Sequence, residues 1–204
     1  HLSNTSQKSL NIGYISRLCE SNGLEVLVDA FILLKKDPRF QEVKLVITGG
    51  STGENDNFIR SIRKKISVNS CENEVEFHKD FEQGRHEFFN KVSVVSVPVL
   101  EGEAFGLYLL ESMASGVPVV QPALGAFPEI AEKSGGGVIY QPNTPEALAA
   151  ALKETLSDRD KLNELSEKGR KGVEQKFNVH QEAKDVVDRY NSLINNPNND
   201  KHVA

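Results

Sequence analysis

The sequence contains no tryptophan, one methionine and only two cysteines in 204 residues. Cys19 and Cys71 stand alone in a chain long enough to fold without cross-links, so we interpret them as reduced thiols of a cytosolic protein. The five histidines and two cysteines show no metal-ligand spacing, and we expect no metal site. No apolar run approaches the length of a membrane span, and no signal-peptide pattern opens the chain.

The net charge of −5 comes from acidic residues that are scattered along the chain. This distribution argues against nucleic acid or an anionic membrane as a partner. A hydrophobic content of 38% with 26% charged residues is typical of a globular domain rather than a disordered chain. The length is enough for one domain with its own core.

Both ends of the chain are polar. Residues 1–9, HLSNTSQKS, predict a linker or cloning remnant, and residues 195–204 predict a disordered tail. The only methionine is Met113, so the chain does not begin with an initiator, and we expect a fragment of a longer protein. The folded domain is predicted over residues 10–194.

Apolar runs alternate with helical patterns along this domain, which predicts an α/β fold with a doubly wound parallel sheet of about six strands. Right-handed crossovers should place the helices on both faces of the sheet. The strands are predicted at 10–16, 43–48, from 75 to about 78–80, 92–98, 117–121 and 135–140.

The stretch from residue 101 to 120, EGEAFGLYLLESMASGVPVV, is the most informative part of the chain. It follows a buried-strand pattern and leads through a small-residue turn into a helix predicted to start at Gly106 or Leu107. The unpaired N–H groups and positive dipole at such a helix start suit a phosphate. Glu103 would lie in the loop, and Glu111, one turn into the helix, could accept hydrogen bonds from vicinal hydroxyls. The alternative is a helix N-terminus with ordinary acidic residues.

The spacing Glu103-x7-Glu111, with Phe105-Gly106 inside it and Gly116-Val117-Pro118-Val119-Val120 behind, resembles the signature of retaining glycosyltransferases of family 4, the group 1 type. The resemblance implies the C-terminal, Rossmann-like donor-binding half of a GT-B fold. It also implies that Glu103 contacts the donor sugar, that Glu111 contacts the ribose hydroxyls, and that the backbone of Ala104, Phe105, Gly106 and Leu107 meets the diphosphate.

The loop after the first strand resembles the family's Arg-Leu-x3-Lys-Gly pattern, in which the two cations neutralise the leaving diphosphate. Arg17 matches this pattern, and a plain surface arginine is the alternative. The lysine position holds Asn22, which brings no charge. This departure could mean weak activity, rescue by another cation, or a role in binding only.

Two further positions complete the predicted donor site. Gly13, inside the first strand, suggests a close backbone approach. His78 stands where the family's turn brackets the nucleobase and could stack beside a base, and Lys79 could supply the cation that Asn22 lacks. A solvent-exposed turn is the alternative for both.

The sequence thus predicts the donor domain of a metal-independent, cytoplasmic glycosyltransferase that moves a sugar from a nucleoside diphosphate to an acceptor hydroxyl. The expected partners are a nucleotide sugar and the missing N-terminal acceptor domain. We expect no nucleic acid partner, and the whole enzyme could contact a membrane peripherally. The chain by itself is expected to be inactive. The alternative is a non-catalytic nucleotide-sugar-binding or regulatory module, which Asn22 supports.

Overall fold

A computed structural model describes residues 10–78 and 84–195. The strands are β1 (Ile12–Ile15), β2 (Leu45–Thr48), β3 (Val75–His78), β4 (Val94–Val95), β5 (Val119–Pro122) and β6 (Gly137–Tyr140). The helices are α1 (Leu24–Lys35), α2 (Asp56–Val68), α3 (Arg85–Lys91), α4 (Leu107–Ala114), α5 (Phe127–Ser134), α6 (Pro145–Ser157), α7 (Arg159–Lys176) and α8 (Val179–Asn195).

The strands form one parallel sheet in the order β3-β2-β1-β4-β5-β6. The predicted doubly wound sheet of six strands is therefore confirmed. Its order reverses between β1 and β4, because the chain leaves β1 toward one edge of the sheet and β4 toward the other. In such sheets the crevice at this reversal is the usual ligand site.

β4 is much shorter than the run predicted at 92–98. The Ser96 N–H still donates to the Gly13 carbonyl (2.9 Å), but the Val97 N–H donates to the side chain of Gln121 (3.2 Å). Pro98, with no N–H, cannot continue the ladder. The chain therefore leaves the sheet early and reaches the crevice as a loop.

Helices cover both faces of the sheet. On one face α1 packs against α2 and α6, and on the other α4 and α5 pack against α7. Right-handed crossovers produce this division. The largest fully buried side chains include Tyr14, Phe31, Phe88 and Phe127, and burying one such side chain contributes about 1.5–3 kcal/mol.

Two glycines of α7 allow this helix to pack closely against the end of α5 and the turn that follows it. A Cβ on Gly172 would lie 2.0 Å from the Ser134 carbonyl oxygen, and one on Gly169 would lie 2.9 Å from the Gly136 Cα. The helix is continuous from Arg159 to Lys176. The role of both glycines is to remove side chains from a tight contact.

The last helix leaves apolar side chains in solvent. The exposed apolar residues of α8 are Val179, Val186, Val187, Tyr190, Leu193 and Ile194. Across residues 10–78 and 84–195, no helix combines the length and apolar character that crossing a membrane requires.

Candidate functional site

The crevice at the carboxyl ends of β1 and β4 is formed by two loops, 16–23 and 96–106. The Leu100 N–H of the second loop donates to the Ser21 carbonyl of the first (2.9 Å). A Cβ on Gly23 would fall 1.8 Å from the Pro98 carbonyl oxygen, so only glycine permits this crossing. The contact holds the predicted Arg17 and Glu103 segments beside one another.

The loop after β1 is held by its own polar side chains. The Tyr14 hydroxyl donates to the Arg17 carbonyl (2.9 Å), and the Asn22 amide donates to the Ser16 hydroxyl (2.8 Å) and the Arg17 carbonyl (3.3 Å). An amide NH₂ has two protons, so both donors of Asn22 are used within the loop. This geometry makes Asn22 a brace for the backbone of Arg17, and its place in the donor site stays a prediction.

Arg17 is exposed and lines an open cavity of about 450 Å³. The opposite wall is the glycine-rich loop after β2, where Gly50, Ser51 and Thr52 lie. A Cβ on Gly49 would come within 1.7 Å of the Ser16 carbonyl oxygen, so this wall lies directly against the loop after β1. Arg17 thus borders a cavity between the loops that follow β1 and β2.

Gly106 sets the start of α4. Its backbone is left-handed, with φ 66° and ψ 60°, and the helix begins at Leu107, as predicted. Within the described ranges, no side chain caps this N-terminus. The first-turn N–H groups of Leu107 and Tyr108 therefore face outward at the positive end of the helix, where an anion is stabilised.

The backbone of Glu103 is held in place by the turn that follows β5. The Ala126 N–H donates to the Glu103 carbonyl (3.0 Å). Gly125 has φ +53°, and a Cβ there would fall 2.3 Å from the same oxygen. The half-buried Glu103 is followed by exposed Ala104 and Phe105. Its side chain is thus carried at the crevice on a backbone held in place by a neighbouring loop.

Tyr108 is a neighbour of Glu103 that sequence reasoning missed. Burial, and then the charge of Glu103, raise the pKa of its phenol well above the ordinary value. Its buried hydroxyl has no hydrogen-bond partner among the described residues. No sequence signal indicates this, because a tyrosine in the first turn of a helix is equally compatible with packing alone.

Glu111 lies one turn beyond Leu107 on α4 and pairs with Arg85, the first residue of α3. The Arg85 Nη1 group donates to the Glu111 Oε1 atom at 2.5 Å, and the two side chains are 40% and 28% exposed. The residues are 26 positions apart in sequence. Only the tertiary fold brings the start of α3 to Glu111, so the sequence offered no signal for this pair.

Gly13 and His78 both contact other parts of the protein, and their donor contacts stay predictions. Gly13 is buried inside β1, and its close approach is to the core, since a Cβ there would lie 2.7 Å from the Phe88 ring. The His78 Nε2 atom lies 2.8 Å from Glu76 and 3.1 Å from Lys91. The imidazole is therefore occupied by a strand neighbour and by α3, and Lys79 lies outside the described residues.

The part of the chain that the structure describes contains no group of three or more histidine, cysteine, aspartate or glutamate side chains arranged to hold a metal ion. The charges at the crevice are instead Arg17, the α4 N-terminus, Glu103 and the Arg85–Glu111 pair. This arrangement can hold an anion at the helix start and hydroxyl groups at the two carboxylates.

Comparison with known families gives this geometry a context. The family model described as glycosyl transferases group 1 matches residues 3–172. The chain belongs to this family. Among curated group 1 relatives, the lipopolysaccharide core biosynthesis mannosyltransferase LpsB of Rhizobium meliloti is 27% identical over 191 residues, covering 90% of this chain and 52% of LpsB. This group 1 chain thus spans about half the length of the curated relatives it matches.

Solved structures of glycosyltransferases share the fold. Anabaena Alr3699/HepE, in complex with UDP and glucose, superposes with a TM-score of 0.78 at 22% identity, over 91% of this chain and 49% of HepE. The C-terminal domain of the group 1 protein LpcC from Francisella tularensis superposes with a TM-score of 0.74 at 22% identity, over 83% of this chain and 87% of that domain. At this identity the likeness establishes the fold of the group 1 chain.

Proposed function

We propose that this chain is the C-terminal, donor-binding domain of a retaining, metal-independent glycosyltransferase of family 4. It would bind a nucleoside diphosphate sugar and support transfer of the sugar to an acceptor hydroxyl. The membership of the group 1 family and the complex of HepE with UDP and glucose support this substrate class. The two free cysteines fit a reducing, cytoplasmic setting.

One observation carries the proposal: α4 starts in the crevice, at a left-handed glycine, with no capping side chain in the described residues. A helix start with outward N–H groups binds phosphate without a dedicated cation. Glu103 precedes this helix start and Glu111 follows Leu107 by one turn, so the two carboxylates lie before and after the anion site along the chain. That is the arrangement a nucleotide sugar requires, with hydroxyl groups flanking a diphosphate.

The chemistry follows from these placements. Departure of a nucleoside diphosphate develops negative charge on the leaving oxygens, and fixed positive groups stabilise that charge. The Arg17 guanidinium and the N–H groups of α4 would supply this positive charge, where other enzymes use a metal ion. Glu103 would orient the donor sugar, and Glu111 would accept hydrogen bonds from the ribose.

Retention requires the acceptor hydroxyl to attack the same face of the sugar from which the diphosphate leaves. The transition state would resemble an oxocarbenium ion, as in other glycosyl transfer chemistry. The acceptor site would be supplied by the rest of a longer protein. We therefore expect no transferase turnover by this chain alone.

A thermal-shift panel with UDP, GDP and ADP tests the proposal. A ligand at a hundredfold excess over its Kd stabilises by about 2.7 kcal/mol. In a domain of this size that is a rise in Tm of about 5–10 °C. The rise should be reduced in Glu111→Gln and unchanged in Glu129→Gln, a matched control at an exposed first-turn acid of α5. A Tm that stays constant with all three nucleotides would contradict the proposal.

A second candidate function is supported by the Asn22 brace. If the site binds a nucleotide sugar without turnover, the missing lysine would explain it, because Asn22 contributes hydrogen bonds within its own loop and no charge. Asn22→Lys in the longer protein distinguishes the two. A large rise in transfer rate would favour a binding module whose catalysis has been lost, and an unchanged rate would favour an enzyme in which Arg17 and α4 suffice.

A further inference from the structure

Arg85 stands out because it contacts a candidate binding residue and has no part in the scheme above. It lies at the first position of α3, and its Nη1 group donates to the Oε1 atom of Glu111. A second arginine–glutamate pair among the described residues, Arg170–Glu174, lies within α7 at 3.1 Å. Pairs within one helix are local, whereas Arg85 and Glu111 come from different helices.

Both helices are anchored in the core, so the two ends of the pair are held in place. Phe88, one turn beyond Arg85, is fully buried against Gly13, where any Cβ would be 2.7 Å from its ring. On α4, the buried side chains of Leu109, Leu110 and Met113 fix the opposite face of the helix from Glu111. The glycine in β1 therefore lets α3 approach the sheet closely enough to bring Arg85 to Glu111.

The pair changes what Glu111 can do. A carboxylate offers about four lone-pair sites, and one N–H from Arg85 uses one of them. The remaining sites can accept hydrogen bonds from two vicinal hydroxyls. A free glutamate loses rotamer entropy when it is fixed in one orientation. A planar guanidinium donor can hold the carboxylate in one orientation before a ligand arrives.

We infer that Arg85 is a positioning residue that presents Glu111 to the ribose hydroxyls of the bound nucleotide. The inference rests on the proposed function, because it assigns Arg85 a role in the same site. Arg85 acts through Glu111 and does not itself touch the sugar. Its effect should therefore appear only with nucleotides that carry the ribose hydroxyls.

The test is a double-mutant cycle in nucleotide binding, measured by calorimetry on this chain. The variants are Arg85→Ala, Glu111→Gln and the double substitution, and the probes are UDP and 2′,3′-dideoxy-UDP. Arg85→Ala should weaken UDP binding about fivefold, the effect of losing an exposed ion pair worth about 1 kcal/mol. The double variant should bind UDP no more weakly than Glu111→Gln, and all four proteins should bind the dideoxy nucleotide equally.

Two further variants separate positioning from a general loss of structure. Arg85→Lys retains a donor but not the planar fork, so its UDP affinity should lie between wild type and Arg85→Ala. Arg170→Ala removes the arginine of the matched pair in α7 and should leave UDP affinity unchanged.

The outcomes distinguish the inference from the proposed function. If wild type binds none of UDP, GDP and ADP, the proposed function fails. If it binds GDP or ADP instead, the cycle is run with that nucleotide and its dideoxy form. If Glu111→Gln weakens binding but Arg85→Ala does not, the inference alone is overturned. Tighter binding by Arg85→Ala, or an equal loss with the dideoxy nucleotide, would also overturn it.

Discussion

Gly106→Ala should destabilise the chain and disturb the anion site at the same time. Gly106 has φ 66° and ψ 60°, a conformation that costs an L-residue about 1–2 kcal/mol. A Cβ there would lie 2.5 Å from Leu109 Cδ1 and 3.1 Å from Phe127 Cε1. Forcing a methyl group into packed surroundings costs about 1–3 kcal/mol more.

The two contributions give a loss of about 3 kcal/mol, which corresponds to a fall in Tm of about 6–12 °C in a domain of this size. Thermal unfolding followed by circular dichroism measures it. Gly102→Ala is the matched control from the same loop, because its Cβ would meet nothing nearer than 3.6 Å. We expect its Tm within about 2 °C of wild type, as for surface substitutions.

The same variant tests the site. Rearranging the residue that starts α4 should displace the N–H groups of Leu107 and Tyr108. Nucleotide binding should then fall by more than the loss of stability explains, measured at a temperature where the variant is fully folded. A Gly106→Ala protein as stable as Gly102→Ala, with unchanged nucleotide affinity, would refute the reasoning about both the backbone and the anion site.

Two other predictions follow from the core. Gly172→Ala should lower the free energy of unfolding by about 2 kcal/mol despite the better helix propensity of alanine, because its Cβ would lie 2.0 Å from the Ser134 carbonyl oxygen. A urea titration alongside Gly50→Ala, which has open space, checks this, and a more stable Gly172→Ala would contradict it. Burial raises the pKa values of Tyr14 and Tyr140 above the ordinary value, so the folded chain keeps protons that the unfolded chain loses. The contribution of these two phenols to the free energy of unfolding should be fully present below about pH 10. Above that pH it should fall by about 1.4 kcal/mol per pH unit for each tyrosine. Urea titrations between pH 9 and pH 12 measure that slope. Tyr140→Phe should reduce the slope, and Tyr190→Phe, at an exposed tyrosine, should not. Equal slopes in wild type and both variants would count against the argument.

Local patterns predicted the elements because their causes are local. Thr144 accepts a hydrogen bond from the Ala147 N–H at the start of α6, and Pro145 occupies its first position, as the sequence predicts. The helix start at Leu107 followed in the same way from a glycine before an apolar run. Apolar alternation likewise located the six strands, although β4 was overestimated because its end depends on a side chain of β5.

The candidate site was predicted in part. The two glutamates and the start of α4 lie within one short stretch of chain, so the sequence predicted where each glutamate stands relative to the helix start. Asn22 was predicted to stand at the family's lysine position without its charge, and its amide braces the Arg17 loop. Gly13 was predicted to approach the donor, but it makes room for Phe88. In both cases the partner lies in the protein, and a sequence pattern does not identify the partner of a polar or small residue.

The sequence by itself determined the α/β class, the six strands, the start of α4 and the two glutamates that flank it. These depend on periodicity, capping and backbone freedom, which act over a few residues. Only the tertiary structure decided which residues contact Glu111 and Glu103. Arg85 reaches Glu111 across two helices, and the turn at Gly125 fixes the Glu103 backbone. Such contacts depend on how close two packed elements come, a distance set by all the side chains between them.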